Sequence, residues 1–476
     1  MFSNQDGKLV YQFDNETVCI EPWGANALRV RVTHNAAFTA NDWALIAPAK
    51  TSAEIVAHNE VLGTGGSLTA MYGGLDKSFG KITNGKITAE ISTNAVITFK
   101  NQAGQVLLEE NWRRLKDNPS MSLNLAGREF RPMEGENYHV TLRFKANDNE
   151  KIFGMGQYQQ KYLDMKGCTL ELAHRNSQIS IPFYISSLGY GFLWNNPAIG
   201  QATFGKNGTE WEADSTKQAD YWITAGDTPA EIEEAFAAVV GKAPMMPDYG
   251  MGFWQCKLRY RTQDELLEVA RKHKSLGLPL DVIVADFFHW PTQGDYKFDE
   301  KYWPDPQAMC DELKSMGIEL MVSIWPTVDY RSENFPEMLS KGYLIRTERG
   351  VRISMNLAGQ TVFMDPTNPG TREFVWSKAK QNYWDKGVRL FWLDEAEPEY
   401  TVYDYDNYRY YLGTDLEVGN LYPAMYAKTF HDGMVAAGME NPLNLLRCAW
   451  AGSQKYGALV WSGDIDSTYD SFQRQV

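Results

Sequence analysis

After the segment APMMPDYG (243–250) the chain settles into one repeated rhythm: a short apolar run, then an amphipathic helical pattern. GMGFWQ (250–255) precedes TQDELLEVARKHKSLG (262–277), LDVIVADF (280–287) precedes DPQAMCDELKSMG (305–317), and IELMVSIWP (318–326) precedes NFPEMLSKG (334–342). After an excursion, a helix predicted from Thr371 to about Lys386 leads into VRLFWLDE (388–395). AMYAKTFHDGMVAAG (424–438) then leads into LNLLRCAW (443–450), and ALVWSGD (458–464) is followed by a helix start at Ser467. Near-continuous apolar strands alternating with helices predict a parallel sheet shielded by helices on its faces. A doubly wound open sheet and a (β/α) barrel both satisfy that pattern. No GxGxxG or Walker loop follows any of the runs, so the nucleotide-binding open sheet loses ground. About six strands are visible, fewer than a closed (β/α)8 (TIM) barrel requires. Ser467 and Asp470 resemble a capping box, and the helix they would open stops after roughly two turns. The expectation is an α/β domain over 246–476 built as a (β/α)8-type barrel, truncated after about six strands.

Residues 1–245 have another rhythm. ALRVRVTH, ITAEIST, AVITFKNQAG and HVTLRFKA alternate apolar and polar positions, as half-buried strands do. Gly-Gly, Asn-Gly and Asp-Asn breaks punctuate them. The first helical period is TPAEIEEAFAAVVG (228–241), with Thr228 as N-cap and Glu231 three residues on. The prediction is an N-terminal antiparallel β-sandwich closed by a linking helix.

Composition excludes several classes of partner. The net charge of the 476 residues is −14, and no Lys/Arg-rich run is present, which argues against nucleic acid and anionic membrane surfaces. Five cysteines, Cys19, Cys168, Cys256, Cys310 and Cys448, are scattered without CxxC spacing. They read as reduced thiols of a cytoplasmic protein, neither a disulfide frame nor a zinc site. The opening MFSNQDGKLVYQF has neither the basic nor the apolar part of a signal peptide. Aromatic residues, 13% of the chain, suit a large sandwich core before they suit a sugar cleft. A homo-oligomer is compatible with all of this.

The second half concentrates polar residues where its strands end. LDVIVAD ends in Asp286, with His289 and Trp290 beyond. LMVSIWP ends in Trp325, LFWLD in Asp394, LNLLR in Arg447 and ALVWSGD in Asp464. In a parallel barrel such ends face one mouth. A mouth with paired carboxylates suits glycosidic bond cleavage, in which an ionised carboxylate meets the anomeric carbon and a protonated one serves the leaving oxygen. Arg447 would hold one aspartate ionised while burial raises the other. Asp286 would accept from sugar hydroxyls, and Trp325 and Trp254 would offer flat apolar faces to a ring. Each residue also has an ordinary reading: strand-end Asp as a turn residue, Trp254 and Trp325 as core, His289 as a packed histidine, and DEAEPE (394–399) as an acidic rim for Mg²⁺ or Ca²⁺. What favours chemistry is their recurrence at successive strand ends.

At these residues the chain resembles glycoside hydrolase family 31, the retaining α-glucosidases and α-xylosidases. Trp392-Leu393-Asp394-Glu395-Ala396-Glu397 fits the family's W-x-D-x-x-E nucleophile segment, and RCAWAGSQKYGALVWSGDIDSTYDS (447–471) fits its arginine before a glycine–aspartate pair. The resemblance implies Asp394 as nucleophile and Asp464 as acid/base. It implies Arg447, Asp286 and Trp325 as substrate-binding residues; Trp392, Trp254 and Glu397 are further candidates for substrate binding, and no cofactor or metal is expected. FGMGQYQQKYLDMKG (153–167) and ISIPFYISSLGYGFLWNN (179–196) are similar to the family's galactose-mutarotase-like N-terminal domain, part of which reaches over the active site. Family members continue through further barrel strands and C-terminal β-domains, so a piece ending here is expected to be inactive. The implied activity is exo-cleavage of an oligosaccharide or small α-glycoside. FWLDEAEPE is closer to the α-xylosidase branch, with α-glucosidase on short oligosaccharides, or a non-catalytic carbohydrate-binding fragment, as alternatives.

Overall fold

The computed structural model describes residues 1–49, 51–60, 77–112, 126–133, 135–349 and 355–475. They form two compact units. One holds 1–156, 160–173 and 181–241; the other holds 157–159, 174–180 and 242–476.

Apart from its linking helix, the first unit is built of antiparallel β, in sheets of eight, five and five strands. ALRVRVTH is a strand over its whole length, Ala27–His34, and Ile87–Ile91 buries every second side chain as its alternation predicts. Strands Ile179–Ser186, Tyr190–Trp194 and Ala219–Ala225 belong to the eight-stranded sheet. Tyr138–Phe144 and Thr209–Thr216 belong to a five-stranded one. Their aromatic side chains meet between the sheets: Trp211 lies 5.2 Å from Phe192 and 6.1 Å from Tyr184, and Phe144 lies 6.0 Å from Tyr221. Much of the aromatic content is therefore sandwich core. The linking helix, Pro229–Val240, is capped by Thr228, whose hydroxyl accepts from Glu231 N–H at 3.3 Å. Glu231 returns a hydrogen bond one residue further out, accepting from Asp227 N–H at 3.0 Å.

The second unit holds one parallel sheet of six strands in chain order: Trp254–Gln255, Val282–Ala285, Glu319–Ile324, Leu390–Leu393, Asn444–Leu446 and Ala458–Val460. The first and last strands each have a single neighbour, so among the described residues the sheet is partial and does not close into the expected barrel. Helices follow the strands as the alternation predicts. Gln263–Ser275 is capped by Thr262, and Pro306–Ser315 by Asp305, each accepting a backbone N–H through its side chain. Two helix starts differ from expectation. The helix expected from Thr371 begins at Pro369, because Asn368 caps it and proline suits the first turn; it ends at Asn382, with a separate 3-10 turn at Trp384–Lys386. The last helix begins at Tyr469, with Thr468 in place of Ser467 as its cap, the Thr468 hydroxyl accepting from Ser471 N–H at 3.1 Å.

Alternate residues of the parallel strands pack on one face. Val282, Val284, Met321, Leu390 and Leu443 form a buried cluster, with Trp254, Trp392, Leu445 and Leu459 against it. This apolar layer is the floor beneath the polar strand ends.

Candidate active site

The two-residue repeat that buries the floor also decides what stands above it. Ser323 pairs with Trp392, and Trp392 with Leu445. One pleat further on, Trp325, Asp394 and Arg447 come level. The ladder continues through them: Asp394 N–H donates to the Ile324 carbonyl at 3.0 Å and Arg447 N–H to the Leu393 carbonyl at 3.3 Å. Asp286 stands one residue past Ala285, the end of the second strand.

Each strand-end carboxylate is fixed by the next residue's backbone. Asp286 accepts from Phe287 N–H at 2.7 Å and Asp394 from Glu395 N–H at 3.0 Å. The chain then turns sharply, with Phe288 and Glu395 in the left-handed region at φ +60° and +54°. Side chains there seldom adopt that conformation, so the turns are held by their surroundings. Trp325 packs among Phe287, Phe288 and Trp290 at 5.2–5.7 Å and donates its indole N–H to Asp394 Oδ2 at 3.2 Å.

Arg447 is the centre of the charge arrangement. Only 3% exposed, it donates from Nε and Nη2 to the two oxygens of Glu397 at 2.8 and 3.0 Å. Nη2 also meets Glu395 at 2.7 Å and Glu399. Nε lies 3.6 Å from Asp394 Oδ1, and Nη1 lies 3.4 Å from Asp464 Oδ2. One guanidinium, itself just past the strand Asn444–Leu446, thus reaches acids beyond the ends of two others, Leu390–Leu393 and Ala458–Val460. Burial works against its charge, and the surrounding carboxylates, Glu397 foremost, more than offset this, so it stays protonated. Burial likewise drives Glu395 and Glu397 above the ordinary carboxylate range, with Arg447 pulling the other way. Asp394 is pushed up to about 6 by burial, opposed by Arg447 and the Glu395 N–H. Asp286 is also raised to about 6 by burial, opposed by the Phe287 N–H. At neutral pH Asp394 is therefore largely an anion, held by two hydrogen-bond donors, the Trp325 indole and Glu395 N–H, and by the Arg447 charge, beside a Glu395 that burial pushes further up.

Asp464 differs. Its side chain is 71% exposed, and it follows Gly463, whose φ is +75°. A buried carboxylate and an exposed one, tied to one arginine, have environments different enough for different roles.

The residues expected from sequence separate into groups. Asp394, Asp464, Arg447, Glu397 and Trp325 come together. Asp286 joins them through charge, raising the proton affinity of Asp394. Glu397 is 2% exposed with both oxygens occupied by Arg447, so it fixes the arginine and presents no free oxygen to a sugar. Trp392 lies one pleat below Asp394, against the apolar floor and 5.4 Å edge-on from Trp461. Trp254 is not brought to the aspartates. It is level with Val282, two pleats below Asp286, and its indole N–H is used by the Tyr249 carbonyl at 3.1 Å. Alternation places it in the floor. His289 is buried, bonded to the Asp286 carbonyl and the Tyr383 hydroxyl, and pushed down to about 4 by burial, so it is a neutral packing residue. Sequence reasoning missed Asn176, which donates to Asp464 at 2.6 Å across 288 residues, and gave no role to Glu395 or Glu399. The first left no local signal; the other two lay in the acidic run itself.

Known proteins carry the same arrangement of domains. Residues 243–476 match the glycosyl hydrolases family 31 TIM-barrel domain, and 17–201 the glycosyl hydrolase 31 N-terminal galactose mutarotase-like domain. The chain is 50% identical over 479 residues to an uncharacterized family 31 glucosidase, ORF2, of Pseudescherichia vulneris, covering 98% of this chain and 87% of that protein. It is 33% identical over 399 residues to an α-xylosidase of Saccharolobus solfataricus, covering 82% of this chain and 52% of that one, so it spans about half that relative's length. A crystal structure of a family 31 α-xylosidase from a soil metagenome, complexed with xylose, superposes with a TM-score of 0.92 at 54% identity, over 100% of this chain and 69% of that one. A xylosidase from Aspergillus niger gives 0.84 at 28%, over 99% and 68%. With both domains matched and half of its residues shared with a relative it nearly spans, the chain belongs to glycoside hydrolase family 31 and is a glycoside hydrolase.

Proposed function

We propose that the protein is a retaining, exo-acting α-glycosidase, and that its substrate is a terminal α-xyloside. The observation that carries the reading is Arg447, which touches the buried Asp394 and the exposed Asp464 with one guanidinium. Retention needs two carboxyl groups about 5–5.5 Å apart, one ionised and one able to exchange a proton. Asp394, ionised at neutral pH and aimed by Trp325 and Glu395 N–H, attacks the anomeric carbon, and a glycosyl ester forms as the glycosidic C–O bond breaks. Asp464 protonates the departing oxygen, then takes a proton from the water that attacks the ester. Asp286 accepts from sugar hydroxyls beside them. This chemistry needs no cofactor.

The α-xylosidases among the relatives and solved structures support xylose as the sugar. The glucosidase name of the 50% identical relative supports the alternative, an α-glucosidase acting on short oligosaccharides. Among the described residues no helix is long and apolar enough to cross a membrane. The five free cysteines suit a reducing compartment, and we place the protein in the cytoplasm on that ground.

The test is a panel of p-nitrophenyl α-glycosides (xyloside, glucoside, galactoside) given to the full-length protein and its Asp394→Ala variant. The xyloside is expected to be the best substrate, and the variant to lose all turnover. Preference for the glucoside would replace the substrate assignment, and an active Asp394→Ala protein without an added nucleophile would end the mechanism.

A further inference from the structure

Residues 157–159 and 174–180 lie within the N-terminal half of the sequence, yet they belong to the same compact unit as the parallel sheet. The second of these segments is tied there at every turn. His174, 4% exposed, accepts from Ser180 N–H through Nδ1 at 3.2 Å, which leaves Nε2 to donate to the Asn420 carbonyl at 3.2 Å. The Arg175 guanidinium lies 4.4 Å over the Tyr403 ring. Gln159 donates to the Ser177 carbonyl at 2.7 Å. Ser177 packs so tightly on Gly463 that a Cβ there would stand 2.6–2.7 Å from three Ser177 atoms.

Asn176 is the residue this anchoring presents to Asp464. Its Nδ2 donates to Asp464 Oδ2 at 2.6 Å and, at 3.4 Å, to Glu399, while its Oδ1 accepts from Asp464 N–H at 3.2 Å. A carboxylate on one side and an N–H on the other allow a single orientation of the amide. Arg447 Nη1 also reaches Oδ2, at 3.4 Å. Both donors therefore converge on one oxygen of Asp464, and among the described residues none donates to Oδ1. We propose that Asn176 is a positioning residue for the acid/base step: by holding Oδ2 and the Asp464 backbone together, it makes Oδ1 the oxygen that carries the proton to the departing group. The inference rests on the reading of Asp464 as the acid/base.

The consequence is selective. Leaving groups that must be protonated depend on where Oδ1 points, whereas fluoride departs without a proton. In the full-length protein, Asn176→Ala is expected to lower kcat/KM for a phenyl α-glycoside by roughly 10-fold, a part of what acid–base catalysis supplies. The kcat/KM for the corresponding α-glycosyl fluoride should change by less than about 2-fold against that same scale. Equal loss on both substrates, or loss on neither, would overturn the proposal; equal loss is what general damage to the fold would give. Asp464→Ala, assayed in parallel, separates the two claims. It should keep kcat/KM for the fluoride, which leaves without a proton, and lose it for the phenyl glycoside; its fluoride kcat should fall, because water attacks the ester without a base, and be restored by azide. If it behaves so while Asn176→Ala shows no selectivity, the positioning role alone is wrong. If Asp464→Ala loses both substrates without azide rescue, the acid/base assignment falls and this inference with it.

Discussion

Replacing Arg447 with methionine keeps an unbranched side chain of similar length and removes the charge and every donor. The three carboxylates closest to being fully enclosed, Asp394, Glu395 and Glu397, are then left in a site where each is 2–6% exposed. Asp394 already titrates at about 6 with the arginine present. An adjacent arginine lowers a carboxyl by about 1–3 units, so its loss moves Asp394 to roughly 8. At pH 7 the ionised fraction falls from about 90% to about 10%, and kcat/KM falls by roughly 10-fold from ionisation alone. The loss should be recovered as pH rises, so the acid limb of kcat/KM shifts upward by about 2 units. Stability carries an independent signature. Carboxyls whose folded-state proton affinity is raised above the unfolded value stabilise fully below the unfolded value, about 4, and lose that contribution as pH rises through the folded one. The urea deficit of Arg447→Met should therefore be small near pH 4–5 and grow toward pH 8, up to about 3–5 kcal/mol for a buried pair broken on one side. An acid limb that does not move, or a deficit that shrinks with rising pH, would refute the charge argument.

Two further outcomes follow from single contacts. Trp325→Phe removes the indole donor from Asp394 Oδ2 while keeping an aromatic ring; a hydrogen bond to a charged acceptor is worth about 1.5–3 kcal/mol, so the acid limb should rise by about 1–2 units. An unmoved limb would mean that the indole only packs. Thr262→Ala removes the cap of the helix Gln263–Ser275 and should cost about 1 kcal/mol in chemical denaturation with kcat unchanged; equal stability would show that the cap contributes nothing.

Much of this was legible because it is local. The strand at Ala27–His34 and the cap at Thr228 follow from neighbours a few residues away. Where boundaries moved, as at Asn368 and Thr468, a second capping residue stood nearby and the backbone used it. Trp254 shows the limit at the site. An aromatic at a strand end reads the same whether it faces a sugar or a floor, and only the register of the neighbouring strand tells them apart. Glu397 reads as one more acid of the run until its two oxygens are seen on Arg447.

The sequence by itself determined the class of each half, since periods of two and of three to four residues are properties of short stretches. It also determined that acids would cluster where the apolar runs stop. Tertiary structure alone decided which acid is buried and ionised, which is exposed, and which serve only to hold the arginine. Those are matters of solvent access and of partners far along the chain, and Asn176 meets Asp464 only because folding brings them within 2.6 Å.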